Sequence, residues 1–151
     1  MHGRCSVRHS KAEGRIRLSV SLKGLTVAVV GGDSRERILI DGLLAAEADV
    51  IAVGYQNLPA HPRLRTSRSL LEATAVANAV IAPMSNTDAH GTVRAVPDPT
   101  LVLRLDEEFF AKLRPGTPLF IGIAQPRIRT LARQYDIPLI ETADSIAFNV
   151  F

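Results

Sequence analysis

Two glycines followed by an acid, a hydroxyl and a guanidinium occur together at Gly31-Gly32-Asp33-Ser34-Arg35, directly after an apolar run. Those types in that order suit the grip of a small anion. Gly32 permits close backbone approach, Ser34 offers a hydroxyl, and Arg35 carries a guanidinium able to hold a carboxylate through two parallel bonds. Ser85, Asn86 and Thr87 add neutral donors and acceptors of the kind that orient a polar ligand. Gly122 and Gln125 lie where another apolar run gives way to a helix. All of these types also serve ordinary turns and caps, so residue type by itself leaves both roles open.

A dinucleotide fits this turn poorly. Its fingerprint needs G-x-G-x-x-G and an acid after the second strand. Here the turn continues into Glu36 without a third glycine, the second strand ends in Gly54-Tyr55, and Asp33 would repel a pyrophosphate. No cofactor site is therefore expected in the chain. A P-loop is excluded by the lack of G-K-[ST]. Of His2, His9, His61 and His90, only His90 falls near the candidate groups, and a solvated role is its simpler reading. No H-E-x-x-H or Cys/His cluster points to a metal, and Ser85 lacks the G-x-S-x-G setting of a hydrolase nucleophile. The pattern is that of a binding domain, and no residue is assigned a catalytic role.

Positioning these groups falls to alternating strands and helices. Residues 25–30 read as a buried strand. Residues 35–48 read as a helix with Ile38, Leu39, Leu43 and Ala46 at helical spacing, capped by Asp33 or Ser34, with Glu36 close to a capping-box position. A second strand at 49–54 leads into a loop over 55–66. A short helix opened by Ser67 or Ser69 follows, then a third strand at 78–83 and a polar loop over 84–90. Residues 92–96 and 101–105 alternate around Pro97-Asp98-Pro99, which predicts a small hairpin. Asp106 caps a helix to about residue 113 that Pro115-Gly116 stops. A fourth strand at 119–123 precedes a helix begun by Pro126, with Ile128, Leu131, Ala132 and Tyr135 on its apolar face. Residues 137–141 read as the fifth strand, and 144–151 begin a further element. The expectation is a three-layer α/β fold with a five-stranded, mainly parallel sheet in flavodoxin-like order 2-1-3-4-5, plus the hairpin insertion. That order opens a crevice between the ends of strands one and three, where 31–35 and 84–90 would meet.

Composition sets the outer bounds. The 151 residues suit one domain, and 46% are hydrophobic. No apolar run reaches the length of a membrane span, so no membrane partner is expected. The formal charge of +3 misleads, because residues 1–23 hold four arginines, two lysines and one acid, leaving the remainder slightly acidic. A nucleic-acid groove is therefore not expected. Residues 1–22 read as a flexible basic leader without a secretory apolar core, and residues 23–151 as the folded domain. Cys5 stands alone, which favours a reducing compartment.

The blocks LKGLTVAVVGGDSRE, DVIAVGY, VIAPMSNTD, LVLRLDEEFF, PLFIGIAQP and ADSIAFNV resemble the N-terminal domain of the dipicolinate synthase A-type subunit, over residues 22–151. The resemblance implies a sporulation enzyme of endospore-forming bacteria, acting in the mother-cell cytoplasm. It would form dipicolinic acid by NAD(P)-linked oxidation of a dihydrodipicolinate-type precursor. It further implies a substrate-side domain laid out as in formate and glycerate dehydrogenases, a flavoprotein-like second subunit, and a layout compatible with a homodimer. Gly31, Gly32, Asp33, Arg35, Ser85 and Gly122 fall on the family pattern. Family members continue into a G-x-G-x-x-G domain, whereas this chain stops at Phe151, so NAD(P) is expected in a C-terminal domain that this chain lacks and hydride transfer is not expected from this polypeptide alone. The alternative is a non-catalytic flavodoxin-like module that binds a small acid or assists assembly. The reading frame beyond Phe151 separates the two.

Overall fold

A computed structural model describes the backbone of residues 7–10 and 15–18, and residues 21–83, 87–93 and 96–142 in full. Within the basic leader, β1 (Val7–Ser10) and β2 (Arg15–Leu18) pair antiparallel, where the weak sequence pattern marks no element. The domain is built on β3 (Thr26–Val30), β4 (Asp49–Val53), β5 (Leu64–Ser67), β6 (Ala79–Ile81), β7 (Leu119–Ile121) and β8 (Leu139–Glu141). All their pairings are parallel, in the order β5-β4-β3-β6-β7-β8.

The five expected strands keep their expected order, and β5 is a sixth outside them. Most of its residues fall in the segment expected as a loop. At the sheet edge β5 buries none of its side chains, so no apolar signal marks it. Its strand character comes from pairing Val50, Ile51, Ala52 and Val53 of β4 with Leu64, Arg65, Thr66 and Ser67.

Side-chain alternation divides the core between the two faces of the sheet. Val27, Val29, Val50 and Ala52 point to one face, where α1 (Ser34–Ala45) supplies Ile40, Leu43 and Leu44. Ala28, Val30, Ile51, Val53, Val80, Leu119 and Ile121 point to the other. That face is covered by α2 (Leu70–Ala75), α3 (Glu107–Lys112) and α4 (Pro126–Gln134). Phe109 and Phe110 of α3 are fully buried and meet edge to face, with centroids 5.0 Å apart at 84°, an arrangement that aromatic quadrupoles favour.

Helix starts follow sequence chemistry closely. Ser69 accepts from the Glu72 N–H at 3.2 Å and Asp106 from the Phe109 N–H at 3.1 Å, and Pro126 opens α4. The apolar face of α4 is as the spacing predicts, with Ile128, Leu131 and Ala132 buried. The phase of α1 is not. Ile38 is 71% exposed and Leu39 37%, and the inward side is Glu36, Ile40, Leu43 and Leu44. Burial of Glu36 by the N-cap sets that rotation. No helix among the described residues is long and apolar enough to cross a membrane.

Candidate functional site

At the carboxyl end of β3 the chain turns through Gly31 and Gly32, both at positive φ (58° and 118°). The Gly31 N–H donates to the Val53 carbonyl at 2.8 Å, and the Gly31 carbonyl accepts from the Tyr55 hydroxyl at 2.6 Å. Burial pushes that phenol's pKa up, and the charges of Glu36 and Asp33 push it further. Glu36 lies across Gly32, so that a Cβ there would stand 2.4 Å from the Glu36 Cγ. The Asp33 N–H donates to Glu36 Oε1 at 2.8 Å and the Asp33 carboxylate accepts from the Glu36 N–H, the two bonds of a capping box; the Arg35 N–H also donates to Asp33 Oδ1, at 2.9 Å.

The Arg35 guanidinium folds back on the same carboxylate, with Nε 3.2 Å from Oδ1 and NH2 3.0 Å from Oδ2. The side-chain bonds from Arg35 and its backbone N–H hold Asp33 down to about 2. Both groups are thus engaged with each other: Arg35 grips a carboxylate bidentately, but it is its neighbour's. The space beside Gly32, expected to admit a ligand, is filled by Glu36. Ser34 is exposed at the start of α1.

The exits of β6 and β7 lie along the same edge. Thr87 is wholly buried, its Oγ1 has no hydrogen-bond partner among the described residues, and its carbonyl accepts from Gln125 Nε2 at 3.1 Å. Gly122 is buried, its N–H 3.4 Å from the Pro83 carbonyl. Thr87 and Gln125, read from separate segments, are therefore brought together by a backbone contact, and the Thr87 hydroxyl is withdrawn from solvent. Ser85 and Asn86 lie outside the described residues.

Beyond Thr87 the chain forms the expected antiparallel excursion, joined by bridges Thr87↔Val93 and Thr92↔Arg104 rather than by extended strands among the described residues. Asp88 organises its first turn, accepting N–H bonds from His90 and Thr92 at 2.9 Å each, with the Thr92 N–H leading the causes that lower its pKa. Gly91 presses on the returning segment, where a Cβ would come within 2.6 Å of the Leu105 carbonyl. A cleft of about 720 Å³ opens here, lined by Asp88, His90, Thr92, Arg104, Asp106 and Arg127. Among the described residues neither arginine has an ion-pair partner; Arg104 Nε donates only to Thr92 Oγ1, at 3.3 Å.

Two charge pairs fasten the surrounding loops. Asp98, 3% exposed, accepts from Thr100 Oγ1 at 2.6 Å and from Arg68 NH1 at 2.8 Å, and its N–H donates to the Gly54 carbonyl at 2.8 Å. Glu141, at the end of β8, accepts from Arg129 NH2 at 2.8 Å and from the Ala124 N–H at 3.0 Å, and both bonds lower its pKa. Arg68, Asp98, Arg127 and Glu141 stand in none of the family blocks, Arg104 falls inside LVLRLDEEFF without a role assigned to it, and residues 30 apart are paired only by the fold. One signal was available: Arg127 puts a cation in the first turn of a helix, where acids are the usual choice. Among the described residues no group of three or more His, Cys, Asp or Glu could hold a metal ion.

Residues 26–143 match the family model for the N-terminal domain of the dipicolinate synthase A-type subunit. No curated protein matches the chain. The corresponding dipicolinate synthase subunit from Bacillus halodurans has a similar structure, with TM-score 0.74 and 22% identity over 82% of this chain and 42% of that one. Its counterpart in the dipicolinate synthase of Bacillus subtilis gives 0.71 and 24%, over 81% and 41% respectively. A D-2-hydroxyisocaproate dehydrogenase shares the fold more distantly, with TM-score 0.55 and 19% identity over 85% and 36%. The chain thus spans about two fifths of the length of the two synthase chains.

Proposed function

The chain belongs to the family of N-terminal domains of the dipicolinate synthase A-type subunit, and we propose that it is the substrate-side half of an NAD(P)-linked oxidoreductase forming dipicolinic acid from a dihydrodipicolinate-type precursor. The match over residues 26–143 carries this reading. The likeness in fold to a D-2-hydroxyisocaproate dehydrogenase supports the reaction class. In open parallel sheets ligands gather outside the carboxyl ends of the strands, and in this chain that edge holds the polar cleft and the β3 turn.

The work of these residues is to bind and orient a planar dicarboxylate and to keep water from one side of it. NAD(P), when bound, supplies the hydride acceptor. Support for a cofactor site outside this chain comes from the β3 turn itself. A pyrophosphate needs free N–H groups and open space beside glycine, whereas the Asp33 N–H is bound to Glu36 and the Glu36 side chain covers Gly32. The chain alone is then a binding half without turnover. A flavoprotein-like second subunit, a homodimeric arrangement and a cytoplasmic, sporulation-linked setting complete the proposal.

Titration of the purified chain with pyridine-2,6-dicarboxylate, followed by ¹H–¹⁵N spectra, tests it. Shifts confined to the loops at the carboxyl edge are expected. With precursor and NAD(P)⁺ supplied to the chain alone, no NAD(P)H should form. A spectrum unmoved at saturating dicarboxylate, or turnover by the chain alone, overturns the reading.

A further inference from the structure

Resting on the dicarboxylate reading above, we propose that the cleft carrying Arg104, Arg127 and His90 seats a carboxylate of the substrate, and that Arg35 does not. Arg35 is committed to Asp33 by two bonds of 3.2 and 3.0 Å. The Nε and NH2 edge of its guanidinium is taken by Asp33, and that carboxylate offsets the charge that would attract a second anion. Arg104 and Arg127 have no such partner among the described residues. They face a cleft of about 720 Å³ together with His90, room enough for a single-ring dicarboxylate.

The three side chains come from three segments that hydrogen bonds tie to one another, so their backbone positions are set before a ligand arrives. Asp88 fixes the turn that carries His90. The Leu105 N–H donates to the Gly91 carbonyl at 2.8 Å, locking the segment that carries Arg104 against that turn. Gln125, one residue before α4, holds the Thr87 carbonyl and so anchors the helix start from which Arg127 projects.

The two acids in the cleft are engaged elsewhere and leave the guanidinium edges of its arginines open. Asp88 accepts from backbone N–H groups of its own turn, and Asp106 from the Phe109 N–H as the cap of α3. Neither lies within ion-pair distance of an arginine among the described residues. Arg127 also stands in the first turn of α4, where the helix dipole disfavours a cation. An anion in the cleft relieves that field, and a planar carboxylate matches the guanidinium fork.

Calorimetric titration with pyridine-2,6-dicarboxylate tests this on the wild-type chain and on Arg104→Gln, Arg127→Gln and Arg35→Gln. Loss of a charge-assisted bond predicts roughly a ten-fold or greater weakening for Arg104→Gln and Arg127→Gln, and an unchanged Kd for Arg35→Gln. Thermal unfolding of each variant, expected near the wild-type midpoint for the two cleft arginines because both are exposed, separates lost binding from lost fold. Arg127→Lys, which keeps the charge and loses the fork, should fall between. Wild-type binding with Arg104→Gln and Arg127→Gln unaffected overturns this assignment and leaves the dicarboxylate reading standing. Absence of wild-type binding overturns both.

Discussion

The carboxylate arm of Glu36 occupies the place where a side chain at Gly32 would go: a Cβ there would lie 2.4 Å from the Glu36 Cγ and 2.6 Å from Oε1. The second glycine of the β3 turn therefore makes room for the protein's own capping acid. A glycine pair after a strand invites a phosphate-site interpretation, and here the close approach is internal.

Gly32→Ala should accordingly be among the more destabilising single-methyl additions in this domain. The φ of +118° and the overlap with Glu36 together predict a loss of about 1–3 kcal/mol. Denaturant unfolding of Gly32→Ala, Glu36→Ala and the double variant measures it. The two losses should be non-additive, because without Glu36 only the backbone strain remains.

Asp33 gives the fold an acid-sensitive corner. Its folded pKa of about 2 lies below the ordinary 3.8, so its contribution is complete above the ordinary value and disappears as pH falls through about 2. Asp33→Asn should lower the thermal midpoint at neutral pH, with the gap to wild type closing as the pH falls from the ordinary value of 3.8 to about 2. The side chain is 43% exposed, so the gap should be modest and shrink in added salt.

Thr87→Val should stabilise. The valine methyl replaces a buried hydroxyl that has no hydrogen-bond partner among the described residues, removing a desolvation cost of about 1 kcal/mol. A raised melting temperature with unchanged dicarboxylate affinity is the expected pair of results, since the hydroxyl is out of reach of solvent.

Phe109→Ala should cost about 3–5 kcal/mol, the usual range for emptying a fully buried aromatic site. Phe109 is 0% exposed, and its removal also deprives Phe110 of its edge-to-face partner. Urea denaturation should show a lower midpoint with the slope kept.

Where local chemistry decides local structure, the chain is legible residue by residue. The apolar runs at β3 and β4, the caps Asp33, Ser69 and Asp106, and Pro126 at the head of α4 are each recognisable in place. β5 is not, because Leu64-Arg65-Thr66-Ser67 carries no hydrophobic period and is a strand through its pairing with β4. The rotation of α1 escapes for a related reason: Ile38 and Leu39 are apolar enough to face inward, but the buried Glu36 turns the helix so that Ile40 does.

Sequence by itself determined the layered α/β class, the order of five of the six strands and the helix starts, all consequences of periodicity and of backbone groups meeting side chains a few residues away. Only the tertiary structure decided how the charges are partnered. Arg35 and Asp33 pair across a turn, Arg68 finds Asp98, and Arg129 finds Glu141, while Arg104 and Arg127 are left facing one cleft. Whether a guanidinium is satisfied depends on the carboxylates that folding brings within about 4 Å of it. No one-dimensional pattern records that distance.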